Sequence, residues 1–130
     1  MLGSSPVAAV VAVKDLDGAK EFYGGTLGLP VGDMDDPGGL LYRCGSGSQL
    51  LVYQSGYAGT NQATSASWLV DDLEGTIAGL KGKGITFEQY DDIPGIERDG
   101  EIHRGGGIAA AWFKDPEGNI LCLHQGRATS

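Results

Sequence analysis

The chain repeats itself, and that repeat restricts its fold more than any other feature. VAAVVAVKDLDGAKEFYGGTLGL, from residue 7, and TSASWLVDDLEGTIAGLKGKGI, from residue 64, can be set with Asp15 over Asp72, and both then read V-x-D-L-[DE]-G. Each copy passes from an apolar, strand-like segment into an acidic helix start. Asp15 and Asp72 suit the N-cap, where a short acceptor side chain takes up an orphan backbone N–H, and the acidic residues behind them suit the positive end of the helix dipole. Apolar spacings of three and four predict that helix one buries Leu16, Ala19, Phe22 and Tyr23, and helix two Leu73, Ile77 and Leu80. Gly24, Gly25, Gly82 and Gly84 fall where C-caps are expected.

The ends of the two copies match as well. GSGSQLLVYQ (45–54) and PEGNILCLHQ (116–125) align glycine with glycine and glutamine with glutamine, each a turn followed by a strand. Asp15 and Gln54 are 39 residues apart, Asp72 and Gln125 are 53 apart, so the second copy is longer by 14. The extra length falls in YDDIPGIERDGEIHRGGG, which has no hydrophobic period and is expected to be a long loop over about 89–106. The chain therefore reads as one α+β domain of two tandem βαβββ units, about 7–54 and 65–125, joined by the polar linker SGYAGTNQAT (55–64).

Its 130 residues suffice for one domain of ordinary size and not for two. A net charge of −8 argues against nucleic acid, whose binders carry a basic footprint. Glu88, Asp91, Asp92, Glu97, Asp99 and Glu101 gather in one stretch, either as a solvated loop or as a rim that draws neutral or cationic ligands. No run approaches the roughly 18 apolar residues of a membrane span. The N-terminus lacks the basic start of a signal peptide. Cys44 and Cys122 have neither metal-binding nor redox spacing, which fits two free thiols in a cytoplasmic protein.

Strand alternation sorts the side chains. Val7, Ala9, Val11 and Val13 share a face with Ala66, Trp68, Val70, Leu50, Val52, Leu121 and Leu123 in the corresponding strands. That set is apolar and belongs against the helices. The other set comprises Ala8, Val10, Ala12, Gln49, Leu51, Tyr53, Ser65, Ser67, Leu69, Ile120, Cys122 and His124. It is small and mixed, with few charges, as in a partly enclosed cavity. In AAAWFKD, either Trp112 or Phe113 faces that cavity.

The paired VKDLDGAKEFYGGTLGL and VDDLEGTIAGLKGKGI segments, with the terminal WFKDPEGNILCLHQ, resemble the vicinal oxygen chelate superfamily. This group includes glyoxalase I, extradiol dioxygenases, fosfomycin resistance enzymes and bleomycin resistance proteins. The resemblance covers nearly the whole chain and implies two units curled into an eight-stranded cleft, commonly in a homodimer. It also implies metal ligands, usually His and Glu, at positions held here by Ala8, Leu51, Ser65 and Cys122. One thiol, one hydroxyl and two hydrocarbons do not make a divalent site, which needs three or four N, O or S donors. A relocated set would draw on His103, Glu101 and His124.

Other chemistry is sparse. Cys122 as a nucleophile needs a base, and His124, two residues along the strand, is about 7 Å away. No nucleophile elbow, Walker loop or dinucleotide fingerprint occurs, and GSGS (45–48) is a hairpin turn. Tyr53, Tyr57, Tyr90, Trp112 and His124 remain to stack on a flat ligand, with Gln49, Ser65 and Ser67 to hydrogen-bond it. Val10, Leu51, His103 and Cys122 complete the expected ligand-binding set. The Ile93–Ile96 stretch is either a lid or a partner contact. The expectation is a protein without metal or cofactor that sequesters an aromatic, neutral or cationic cytotoxic compound. The alternatives are a glyoxalase-like lyase or isomerase with relocated or non-metal groups, and a cleft that takes a peptide or partner protein.

Overall fold

The computed structural model describes residues 2–32 and 39–126. Both Asp-led turns start helices. Asp15 and Asp72 sit in extended backbone, and the carboxylate of each accepts from the N–H three residues on, at 3.1 Å from Gly18 and Gly75. The glycines are part of the cap: a Cβ on Gly18 would lie 2.7 Å from the Asp15 carboxylate, and one on Gly75 would collide with that of Asp72. Helix α1 runs over Leu16–Ala19 and continues as a π-helix over Lys20–Thr26; α2 spans Leu73–Lys81. Ala19, Phe22, Tyr23, Leu73 and Ile77 are buried, and Leu16 and Leu80 pack half-buried against them. Gly24 and Gly25, expected to end the helix, lie inside the π-wound stretch, where Leu27 N–H reaches back to the Phe22 carbonyl. Gly28, at φ +71°, follows its end.

The described residues form two sheets. The first has the order β1 (Ala8–Val13), β3 (Gln49–Gln54), β2 (Gly39–Arg43), with β1 parallel and β2 antiparallel to β3. The second has the order β4 (Thr64–Leu69), β8 (Ile120–Gly126), β7 (Ile108–Lys114), β6 (Ile102–Gly105), β5 (Glu97–Asp99). The central pairings repeat in the two units, since β4 runs parallel to β8 and β7 antiparallel to it. β1 lies against β4, joining the sheets.

Among the described residues the strands are not shared out as four and four. In the first unit the described part of the expected second strand is a bridge from Val31 to Tyr42, beside Pro30, which has no N–H to extend a ladder. In the second unit it is a bridge from Phe87 to Phe113. The expected long loop instead contains the hairpin β5–β6, and β6 pairs with the far half of β7. A period was hard to see because all three residues of β5 are exposed, Glu97, Arg98 and Asp99.

One core draws on both units, from Val11, Tyr42 and Val52 to Phe113, Leu121 and Leu123. Val7 and Ala9 were expected in it, but both are exposed, at the open end where β1 begins. The DPEGN turn ties the units together. Asp115 is buried and accepts from the Glu117 and Asn119 N–H groups, from Asn119 Nδ2, and from the Tyr23 hydroxyl at 2.7 Å. Asn119 Nδ2 also donates to the Ala12 carbonyl, and Glu117 Oε2 accepts from the Lys14 and Asp15 N–H groups. Burial foremost, then the Asp115 charge, pushes the Tyr23 phenol far above its ordinary range.

Candidate functional site

Strand β7 decides which aromatic faces the open side. Ala109, Ala111 and Phe113 alternate into the core, so Trp112 points the other way and is half-buried. Its indole N–H donates to Thr64 Oγ1 at 3.0 Å, fixing the ring against the start of β4. Tyr90 meets Trp112 edge-on at 5.5 Å, and the His103 ring stands perpendicular to Trp112 at 4.9 Å. Such edge-to-face contacts suit the ring quadrupoles.

The Tyr90 and Trp112 rings border a cavity of about 710 Å³. Trp112 and Ile120 come from the sheet, Asn61, Gln62 and Ala63 from the linker, and Glu88, Tyr90, Asp92 and Ile93 from the segment after the Phe87 bridge. Lys114 stands 3.7 Å from Glu88, leaving Asp92 without that compensation. Burial first, and then Glu88, raises the Tyr90 phenol above its usual value. Outside the cavity the Asp91 carboxylate pairs with Arg98 at 2.7 Å, and that bond holds it below its usual range.

The remaining expected ligand contacts do not line that cavity, although Cys122 lies opposite Trp112 across β7 and β8. Ser67 Oγ lies 2.6 Å from His124 Nδ1, across β4 and β8, and Cys122 is the residue opposite Ser67. The Cys122 thiol is buried, and burial raises it despite hydrogen bonds from Ser67 and the Ala111 backbone. Gln49 and Ser67 both border a smaller notch of about 130 Å³ where the two sheets meet. Val10 and Leu51 pair across β1 and β3, with Leu41 beyond on β2, so the first sheet presents an apolar row. Val10 and Tyr53 on this sheet are 49% and 40% exposed, and they border neither cavity.

His103 lies in strand β6, not in a loop, and is 1% exposed. Its Nε2 is 2.9 Å from the Tyr90 N and its Nδ1 is 3.0 Å from the Glu101 carbonyl oxygen. An amide N–H only donates, so Nε2 accepts and the ring proton resides on Nδ1, donating to Glu101. Both nitrogens are engaged by backbone. The Glu101 carboxylate is held by Lys81 on α2, and His124 by Ser67. The relocated metal set is thus not assembled, and among the described residues no three His, Cys, Asp or Glu side chains converge on one point. The resemblance-derived set fits a divalent ion no better. Ser65, at a bulge in β4, accepts from Asn61, Cys122 is a buried thiol with a raised pKa, and Ala8 and Leu51 offer no donor.

Several lining residues escaped sequence reasoning. Asn61, Gln62 and Ala63 looked like plain linker, and Thr64 like its last residue. Their signal was indirect: the linker leads into β4 beside the DPEGN turn, and Gly59 approaches the Glu117 carbonyl so closely that a Cβ would collide with it. Ile93, an apolar residue in a polar stretch, did give a signal, and it lines the cavity.

No protein-family model matches the chain, and no curated protein matches it by sequence. Solved structures do match. Lactoylglutathione lyase from Agrobacterium tumefaciens superposes with a TM-score of 0.70 at 18% identity, over 98% of this chain and 97% of the other. A glyoxalase/bleomycin resistance protein from Catenulispora acidiphila gives 0.69 at 19% identity, over 94% and 98%. TnmS3, an antibiotic binding protein from Streptomyces sp. CB03234, gives 0.63 at 20% identity, over 95% and 98%. The chain has the vicinal oxygen chelate fold, and its structural neighbours are glyoxalase and bleomycin-resistance proteins.

Proposed function

We propose that this is a metal-independent binding protein that sequesters a flat aromatic, neutral or cationic, cytotoxic compound in the cavity bordered by Tyr90 and Trp112. The cavity carries the reading: about 710 Å³ is within the range that takes a drug-sized ligand. Its aromatic edges favour a flat ring system, and Asp92 favours a cation over an anion. Sequestration needs affinity and copy number but no catalytic group, and an antibiotic-binding neighbour shares the fold. A single domain, a homodimer covering the apolar row of the first sheet, and a cytoplasmic location complete the proposal. Among the described residues no helix is long and apolar enough to cross a membrane.

Fluorescence tests it. The chain has two tryptophans, so Trp68→Phe leaves Trp112 as the sole reporter. Titration with bleomycin and with neutral and cationic polycyclic natural products is expected to quench Trp112 saturably for at least one compound. The compound should be recovered unchanged, and Tyr90→Ala should weaken it about tenfold. An absence of saturable binding across the panel would exclude the reading.

One observation favours an enzyme instead. The 2.6 Å Ser67–His124 contact places a hydroxyl against a base on the open face of the second sheet. Chemical conversion of a bound compound, lost in Ser67→Ala, would establish that reading and displace sequestration.

A further inference from the structure

The imidazole of His103 has no place in the binding chemistry above, yet it is the most buried charged or polar side chain among those described. It sits behind the two rings that border the cavity, 4.9 Å from Trp112 and 5.7 Å from Tyr90, and its Nε2 accepts the Tyr90 backbone N–H. That bond spans β6 and the segment after the Phe87 bridge, the segment that carries Tyr90, Asp92 and Ile93 to the cavity. Among the described residues the backbone from 89 to 96 makes no ladder pairing, so the ring supplies a tie that the sheet does not.

We infer that His103 is a positioning residue: its neutral, Nδ1-protonated imidazole anchors the Tyr90 backbone and so holds the cavity wall against Trp112, an anchor that is released when the ring is protonated. A second ring proton would occupy Nε2 and turn an N–H toward the Tyr90 N–H. Two donors cannot share that bond, and the buried site has no room for both to keep their partners. The charged groups around the ring come from every packed element. Glu88, Asp91 and Asp92 lie on the Tyr90 segment, and Arg98 pairs with His103 across β5 and β6 and binds Asp91. Arg104 lies on the histidine's own strand and Glu101 just before it, with Lys81 of α2 holding the Glu101 carboxylate, and Lys114 lies on β7. Both ring nitrogens go to backbone groups, so protonation gains no new carboxylate partner without rearrangement.

The positioning role does not require a ligand; its effect on binding rests on the proposed cavity. The test therefore begins with the protein alone, in the Trp68→Phe background, compared at pH values from about 8 down to about 5. Imidazole nitrogen shifts of His103 at the upper end are expected to report the Nδ1–H tautomer. On acidification, the protection of the Tyr90 amide, its exchange measured against the intrinsic rate at the same pH, is expected to fall at least tenfold while Trp112 emission shifts. His103→Gln supplies an amide oxygen that accepts from Tyr90 without titrating, and should abolish both pH responses. His124→Gln, at the chain's other histidine, should leave both in place. An Nε2–H tautomer would overturn the inference even if the variant fails to fold, as would pH responses that persist in His103→Gln. Ethidium, a flat cation, serves as the ligand probe, and its affinity should fall about tenfold from the upper to the lower pH in the parent and stay level in His103→Gln. Ethidium that binds at no pH counts against the cavity reading, while the tautomer and amide exchange still decide the role of His103.

Discussion

Replacing Tyr23 with Phe removes one oxygen from the tie between the units. The ring is fully buried beside Phe22 and Tyr42, at centroid distances of 5.0 and 6.2 Å, and Phe keeps that packing. The 2.7 Å bond to Asp115 is lost. Asp115 retains two N–H donors and the Asn119 amide, so it is not left as a bare buried charge. A hydrogen bond to a charged acceptor contributes about 1.5–3 kcal/mol, so Tyr23→Phe should cost about 2 kcal/mol at pH 8. The pH dependence follows from the raised phenol. Unfolded tyrosine ionises near pH 10, whereas folded Tyr23 keeps its proton, chiefly through burial and then the Asp115 charge. Its contribution is therefore complete below about pH 10 and is lost as pH rises above it, by up to about 1.4 kcal/mol per pH unit. Urea unfolding followed by circular dichroism at pH 8, 9, 10 and 11 should show the gap between parent and variant constant at first and then narrowing. A variant as stable as the parent at pH 8, or a gap that does not change into alkali, would refute the reasoning.

Among the described residues the Tyr42 hydroxyl is buried with no hydrogen-bond partner, and burial raises its pKa. Tyr42→Phe should be neutral or stabilising by about 1 kcal/mol in the same assay; a loss of 2 kcal/mol or more would reveal a missed partner. At pH 8 a thiol reagent should modify half-buried Cys44 well before buried Cys122, whose thiolate burial disfavours, and equal rates in the native protein would contradict that. In an exposed helix Gly→Ala usually gains about 1 kcal/mol, but at Gly75 the added methyl collides with the capping Asp72. Gly75→Ala should gain nothing in the parent and about 1 kcal/mol in an Asp72→Ala background; equal gains in both would show that the cap tolerates the methyl.

The repeat made much of the fold legible. Capping aspartates, helix faces and turn-plus-strand endings are local signals, and Asp15, Asp72, Tyr23, Leu73, Leu50 and Leu121 lie where those signals put them. Departures arise where tertiary contacts decide. β5 has exposed side chains throughout and is a strand only because β6 pairs with it. The site was less legible. Alternation placed Ser67, Cys122 and His124 together, and the structure brings Ser67 and His124 into contact. Trp112 lies opposite Cys122 on that same face, but Cys122 is buried and neither Ser67 nor His124 reaches along the sheet to the cavity that Trp112 shares with Tyr90. His103 shows the limit most plainly. A lone histidine in a polar stretch looked like a candidate contact, and only the fold reveals that backbone groups occupy both its nitrogens.

The central claim is binding without metal and without conversion. Protein stripped with a strong chelator and dialysed should bind a panel compound, by calorimetry at one site per chain, with an affinity that added Zn²⁺, Ni²⁺, Mn²⁺ or Fe²⁺ leaves unchanged, and the compound should be recovered with its mass intact. Affinity that appears only with one of these metals, or a recovered compound of altered mass, would contradict the account.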